Sequence, residues 1–161
     1  MPLPFANEKL YEACKKGVLA DVCTALEVKG GGGGGIDVNY RGDGGRTPLY
    51  WASTNGHVDI VRHLLSVNGI QVNQARDDGV TALIMASTKG HVDVVRLLLG
   101  AEGVEVNQAS NNGCTALIVA SNEGHVDVVR LLLGAEGVEV NQAENNGFTA
   151  LIMDQGHVDV V

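Results

Sequence analysis

Ten residues, Gly90-His91-Val92-Asp93-Val94-Val95-Arg96-Leu97-Leu98-Leu99, return unchanged at Gly124–Leu133, 34 positions further on. A variant, Gly56-His57-Val58-Asp59-Ile60-Val61-Arg62-His63-Leu64-Leu65, precedes them by the same interval, and a shortened copy runs Gly156-His157-Val158-Asp159-Val160-Val161. A fixed period of this size constrains the fold severely. Each unit is one small supersecondary element that cannot bury its own apolar face, so neighbours must stack to bury it. Chain length then sets the number of stacked units, not the size of a central core.

The phases within one unit are regular. Threonines 47, 81, 115 and 149 follow turn signals: Asp43-Gly44-Gly45, Asp77-Asp78-Gly79, Asn111-Asn112-Gly113 and Asn145-Asn146-Gly147. Asp-Gly and Asn-Gly pairs favour tight hairpins, and a threonine hydroxyl caps the free amides of a helix start. The spacing predicts short first helices over Pro48–Asn55, Ala82–Lys89 and Ala116–Glu123, each closed by Gly56, Gly90 or Gly124. Second helices start at the histidines. Val92, Val95, Leu98 and Leu99 form one apolar face that Val94 and Leu97 widen. Asp59–Arg62, Asp93–Arg96 and Asp127–Arg130 are spaced to pair on the outer side. Between units, Ile36-Asp37-Val38-Asn39, Ile70-Gln71-Val72-Asn73, Val104-Glu105-Val106-Asn107 and Val138-Glu139-Val140-Asn141 alternate apolar and polar, the pattern of short extended segments.

The ends differ from the middle. Leu10–Gly17 aligns with Leu49–Gly56 and Val18–Leu26 reads as a second helix, giving a first unit without a leading turn. Glu12, Lys15 and Lys16 give it the polarity that an end unit needs. The six glycines Gly30–Gly35 are expected to form a flexible insertion. They lack the Gly-Lys-Ser/Thr ending of a phosphate loop. Leu151–Gly156 is two residues shorter than Leu117–Gly124, so the last unit is expected to be incomplete and least stable.

Hairpin tip, Gly-x-Thr-Pro-Leu, short helix, Gly-His, second helix and Val-Asn junction together resemble the ankyrin repeat, best matched over Gly45–Ala52 and Gly56-His57. The resemblance implies a mainly α solenoid of stacked helix-turn-helix units with short hairpin-like loops. About four and a half units make a single domain over 1–161, with approximate bounds 7–39, 40–73, 74–107, 108–141 and 142–161. The period is 34, where the family's is usually about 33. Tyr50, Ile84, Ile118 and Ile152 stand where the family carries a histidine. Some ankyrin repeats are hydroxylated at the junction asparagine, which marks Asn39, Asn73, Asn107 and Asn141.

Chemistry finds little support in the residues. His57, His91, His125 and His157 share one phase. Packed helices lie about 8–10 Å apart, too far for equivalent histidines to share a zinc ion with bonds near 2 Å. No Ser/His/Asp constellation stands out from the repeat background. Cys14, Cys23 and Cys114 show no metal-ligand spacing, and they fit a reducing compartment, cytoplasmic or nuclear. The net charge of −8, from 11 basic and 19 acidic side chains, argues against nucleic acid. No run is long enough to insert in a membrane. No cofactor, metal or catalytic residue is expected, and the chain is expected to be a monomer.

Binding is the better-supported reading, because certain positions change between units while the framework does not. These are Asp43, Arg46, Thr54 and Asn55 in unit two; Asp77, Asp78, Val80, Thr88 and Lys89 in unit three; and Asn111, Asn112, Cys114, Asn122 and Glu123 in unit four. Trp51, Met85 and Val119 add an apolar strip, with Trp51 the foremost anchor. The resemblance implies that this concave, hairpin-side surface holds a partner protein. Two alternatives remain open at this point: a regulatory or targeting fragment of a larger enzyme or channel truncated at its C-terminus, and a small metal-binding protein or enzyme.

Overall fold

The computed structural model describes residues 4–27, 35–147 and 149. Among them, eight α-helices run in pairs: α1 (Pro4–Lys16) with α2 (Leu19–Glu27), α3 (Pro48–Thr54) with α4 (Val58–Leu65), α5 (Ala82–Thr88) with α6 (Val92–Leu99), and α7 (Ala116–Asn122) with α8 (Val126–Leu133). The first helices pack side by side in the order α1, α3, α5, α7. The second helices form a layer behind them, each packed on its own partner and on the neighbouring second helix. This is the helical solenoid that the repeat pattern implies.

Local residues explain each helix start and stop. The hydroxyls of Thr47, Thr81 and Thr115 accept from the amides of Tyr50, Ile84 and Ile118 at 3.0, 3.2 and 3.3 Å. Each such cap satisfies one amide that the helix leaves free. Pro48 occupies the first helical position, where a missing amide proton costs nothing. The helices end at Thr54, Thr88 and Asn122, one residue short of the spacing expectation, because Asn55, Lys89 and Glu123 serve as C-caps. The second helices begin after, not at, His57, His91 and His125; these histidines occupy the N-cap position without a side-chain cap bond.

Stacking supplies the core. Leu49, Leu64, Leu83, Leu98, Leu117 and Leu132 are buried between the layers together with Ala52, Ala86 and Ala120. The buried arc of α6 is centred differently from expectation. Val94, Val95 and Leu98 are fully buried, whereas Val92 and Leu99 are half-buried. The reason is that α6 has a neighbour on each flank, α4 and α8, as well as α5 beneath it.

Two local expectations are corrected. The apolar-polar segments before each turn are not extended strands: Val38-Asn39, Val72-Asn73 and Val106-Asn107 form turns. Their asparagines are used as clamps. Asn39 donates to the Gly69 carbonyl at 2.8 Å and accepts from the Gln71 amide at 2.8 Å. Asn73 does the same with Gly103 and Glu105, and Asn107 with Gly137 and Glu139. A carboxamide satisfied this way in the next unit outweighs the weak strand preference of a four-residue alternation. The second correction concerns the outer ion pairs. Asp59–Arg62 and Asp127–Arg130 close to 3.0 and 3.4 Å, while Asp93–Arg96 does not reach ion-pair distance. Exposed pairs of this kind are worth only about 0.2–1 kcal/mol, so nothing compels the third to form. The expectations for Gly30–Gly34 and for residues beyond Thr149 fall outside the described residues.

Candidate functional site

The turns build a continuous edge. Within each, the chain folds back through a backbone bond of 2.9 Å: Gly42 to Arg46, Arg76 to Val80 and Ser110 to Cys114. Each tip then donates an amide to the tip before it: Asp77 to Gly44 at 3.2 Å, Asn111 to Asp78 at 2.9 Å and Asn145 to Asn112 at 3.1 Å. The turn glycine is required here. Gly79 has φ +82°, and a methyl group on it would fall 2.7 Å from the Asn111 amide nitrogen. An isolated antiparallel bridge joins Ala143 and Thr149 in the last described turn.

Every residue marked by unit-to-unit variation lies at or near the surface. Asp43, Asn55, Asp77, Asp78, Lys89, Asn111, Asn112, Asn122 and Glu123 are exposed. Arg46, Trp51, Thr54, Val80, Met85, Thr88 and Cys114 are half-buried. Several nevertheless have structural work. Asn55 donates to the Lys15 carbonyl at 2.8 Å, and Thr54 and Thr88 bond back to Tyr50 and Ile84 within their own helices. Asp77 pairs with Arg41 at 2.8 Å, and Asn111 donates to the Asp77 carbonyl at 3.3 Å. Asp78 pairs with Arg76. The hydrogen bond from Arg76 holds the Asp78 carboxyl below its ordinary value.

Unit two stands apart. Trp51 meets Tyr11 and Tyr50 edge-on, with centroids 6.3 and 5.9 Å away, and Tyr11 meets Tyr40 at 5.9 Å. The Lys15 ammonium lies 4.9 Å and the Arg46 guanidinium 5.5 Å from the Trp51 ring centroid. Arg76 sits 5.6 Å from the Tyr50 ring and donates to its hydroxyl at 2.9 Å. Sequence spacing marked Trp51 and Arg46 but missed Lys15, Tyr11, Tyr40, Tyr50 and Arg76. One signal was available: the single tryptophan and all three tyrosines fall between positions 11 and 51.

The histidines join units. A methyl group on Gly56 would fall 2.9 Å from the His91 ring, and one on Gly90 would fall 2.7 Å from the His125 ring. Their Nε2 atoms lie 3.0 Å from the carbonyls of Thr54 and Thr88. Those ring nitrogens are engaged in unit-to-unit bonds. Among the described residues, no group of three or more His, Cys, Asp or Glu side chains could hold a metal ion, and no helix is long and apolar enough to cross a membrane. At Cys114, burial and then the Glu144 carboxylate push the thiol up, opposite to the shift that activates a nucleophile. A separate groove of about 770 Å³ lies on the outer side of α1 and α2, lined by Phe5, Ala13, Ala25 and Ile36. Lys9, Lys16, Glu12 and Asp21 around it carry both signs of charge.

A family model described as ankyrin repeats (3 copies) matches residues 10–110 and again residues 99–161. No curated protein gives a significant match to the chain. The two family matches together span residues 10–161, nearly the whole sequence. The chain belongs to the ankyrin repeat family.

Proposed function

We propose that the chain is a non-catalytic interaction module that holds a partner protein on the face formed by the tips and the first helices. Ankyrin repeats are generally protein–protein interaction modules, and proteins built from them are typically non-catalytic. The observation that carries the assignment of the face is the division of labour between positions. The recurring capping threonines and core leucines are buried, whereas none of the varying tip and first-helix positions assigned to this face is buried. The surface comprises Asp43, Arg46, Trp51, Thr54 and Asn55, then Asp77, Asp78, Val80, Met85, Thr88 and Lys89, then Asn111, Asn112, Cys114, Asn122 and Glu123. Trp51 is its anchor, since a large, half-buried aromatic contributes most where it loses water on binding. The array works as one domain and as a monomer, in a reducing compartment of the cell.

The test is affinity capture from a native lysate with the wild-type chain, with a Trp51→Ala, Arg46→Ala, Lys89→Ala triple variant and with an Arg62→Ala, Arg130→Ala variant of the opposite side. Proteins retained by the wild type and the opposite-side variant but lost from the triple variant support the assigned face. Equal recovery by all three overturns it.

A further inference from the structure

The proposed face is not uniform along the stack, and its charge identifies the partner. Lys15 and Arg46 are both held over the Trp51 ring, 4.9 and 5.5 Å from its centroid. Two cations fixed around one indole therefore lie within about 10 Å of each other, where like charges repel in partly desolvated surroundings. Neither is neutralised well. Arg46 donates to the Asp43 backbone carbonyl, not to a carboxylate. Lys15 reaches Glu12 only at 3.9 Å, and Glu12 is shared with Lys16 at 3.5 Å. One unit further on, Lys89 is exposed at the end of α5, with no carboxylate of the described residues in ion-pair reach. The other basic groups nearby are already paired, Arg41 with Asp77 and Arg76 with Asp78. On a chain of net charge −8, this corner of the stack is locally cationic. Met85, half-buried, holds the Trp51 phase in the next unit. Further along, the face turns acidic at Glu123 and Glu144.

We propose that the corner formed by Lys15, Arg46, Trp51, Met85 and Lys89 takes an extended acidic peptide segment of a partner protein. A Glu or Asp carboxylate is seated between Lys15 and Arg46 against the indole, and a neighbouring apolar side chain lies on Met85. This deepens the interaction-module reading and rests on it. The carboxylate relieves the repulsion between the two cations, and the indole and thioether supply apolar area beside it. A nucleic acid fits less well: a phosphate backbone needs a run of free cations, and Glu12, Asp43 and Glu123 interrupt this one.

Because Trp51 is the only tryptophan, its emission reports on this corner alone. Random peptides displayed on phage are selected on the full chain. The enriched sequences are then synthesised and titrated while tryptophan emission is followed, with oligothymidylate as a competitor. The proposal expects enriched peptides of net negative charge that change Trp51 emission and bind more weakly as salt is raised. A Lys15→Glu, Arg46→Glu variant should weaken them by roughly tenfold or more, Arg46→Lys by less, and Arg62→Glu on the opposite side hardly at all. Circular dichroism of each variant establishes that it is folded. Enriched peptides that are neutral or basic, yet still perturb Trp51, overturn the acidic partner and leave the interaction face standing. Peptides that bind without perturbing Trp51, and that respond to Arg62→Glu, overturn both. Failure of any peptide to enrich, or oligothymidylate binding as tightly as the best peptide, overturns the acidic-peptide proposal.

Discussion

The junction between units one and two and the junctions further along achieve the same stacking by different means. Between units three and four, polar groups recur in register: tip to tip through Asn111 and Asp78, asparagine clamp through Asn107, and His125 to the Thr88 carbonyl. The first junction keeps only part of this set. Its clamp is present, Asn39 bonding the Gly69 carbonyl and the Gln71 amide. Asn55 bonds the Lys15 carbonyl, which corresponds to the carbonyl that histidine takes elsewhere. Among the described residues unit one contributes no tip, and there Tyr11, Tyr40 and Trp51 pack edge to face. A repeat array can thus replace a missing polar rung with aromatic area. Doing so leaves an aromatic and cationic corner on the face proposed to meet a partner.

If packing carries the internal junctions, emptying their core should have the largest effect. Leu98 is fully buried between α6 and its neighbours, so Leu98→Ala should lower the unfolding free energy by roughly 2–5 kcal/mol in urea titration. A loss under about 1 kcal/mol, the range of an ordinary surface change, would mean that the polar ladder and not the core holds this junction.

The histidine-on-glycine joint is tested by two glycines of similar conformation. Gly90 and Gly103 have φ of +70° and +73°. Alanine at either carries a left-handed cost of roughly 1–2 kcal/mol. At Gly103 the added methyl meets nothing within 4 Å, whereas at Gly90 it runs into the His125 ring. Gly90→Ala should therefore be worse than Gly103→Ala by about 1–3 kcal/mol, the cost of overpacking. Equal losses would show that the joint yields freely.

The polar clamp should weigh less. Asn107→Ala removes a donor to Gly137 and an acceptor for Glu139. Each bond is worth about 0.5–1.5 kcal/mol net, and both are exposed, so a loss of about 1 kcal/mol is expected by urea titration. Asn107→Asp keeps the acceptor and should recover part of it. An unchanged midpoint for Asn107→Ala would assign these asparagines no part in stacking.

These tests follow the line between what could and could not be read from the chain. The capping threonines and stop glycines were legible because each acts within four residues of itself. The clamp was not, since Asn39, Asn73 and Asn107 find their partners 30 and 32 residues away, and a strict repeat hides which copy a side chain addresses. The alternation around them pointed instead to a strand. Trp51 was legible as the sole tryptophan. Its cationic neighbour Lys15 was not, because a lysine in the first unit reads as the polar outer face of an end unit, whereas it lies over the Trp51 ring of the next unit.

The smallest effect at neutral pH compares one phase across the two regions. Cys14 in α1 aligns with Ser53 in α3 and Ser87 in α5, and all three are fully buried. Among the described residues, the hydroxyls of Ser53 and Ser87 find no hydrogen-bond partner. A thiol is the cheaper occupant, because it is a weak donor that behaves as a small apolar group. Ser87→Cys should therefore be neutral or stabilising by up to about 1 kcal/mol at neutral pH, read by urea titration. The thiol brings an alkaline liability in return. Burial pushes Cys14 up to about 12, because the thiolate cannot be solvated there. Its folded value lies above its unfolded value of about 8.5, so its contribution is fully present below that pH and is lost as pH rises toward the folded value. Stability measured from neutral to alkaline pH should fall in the wild type and fall less in Cys14→Ala. Ser87→Cys should steepen the fall if its thiol is buried as Cys14 is. An alkaline slope unchanged by Cys14→Ala would show that the first unit opens before its thiol ionises, making the aromatic junction the weaker of the two.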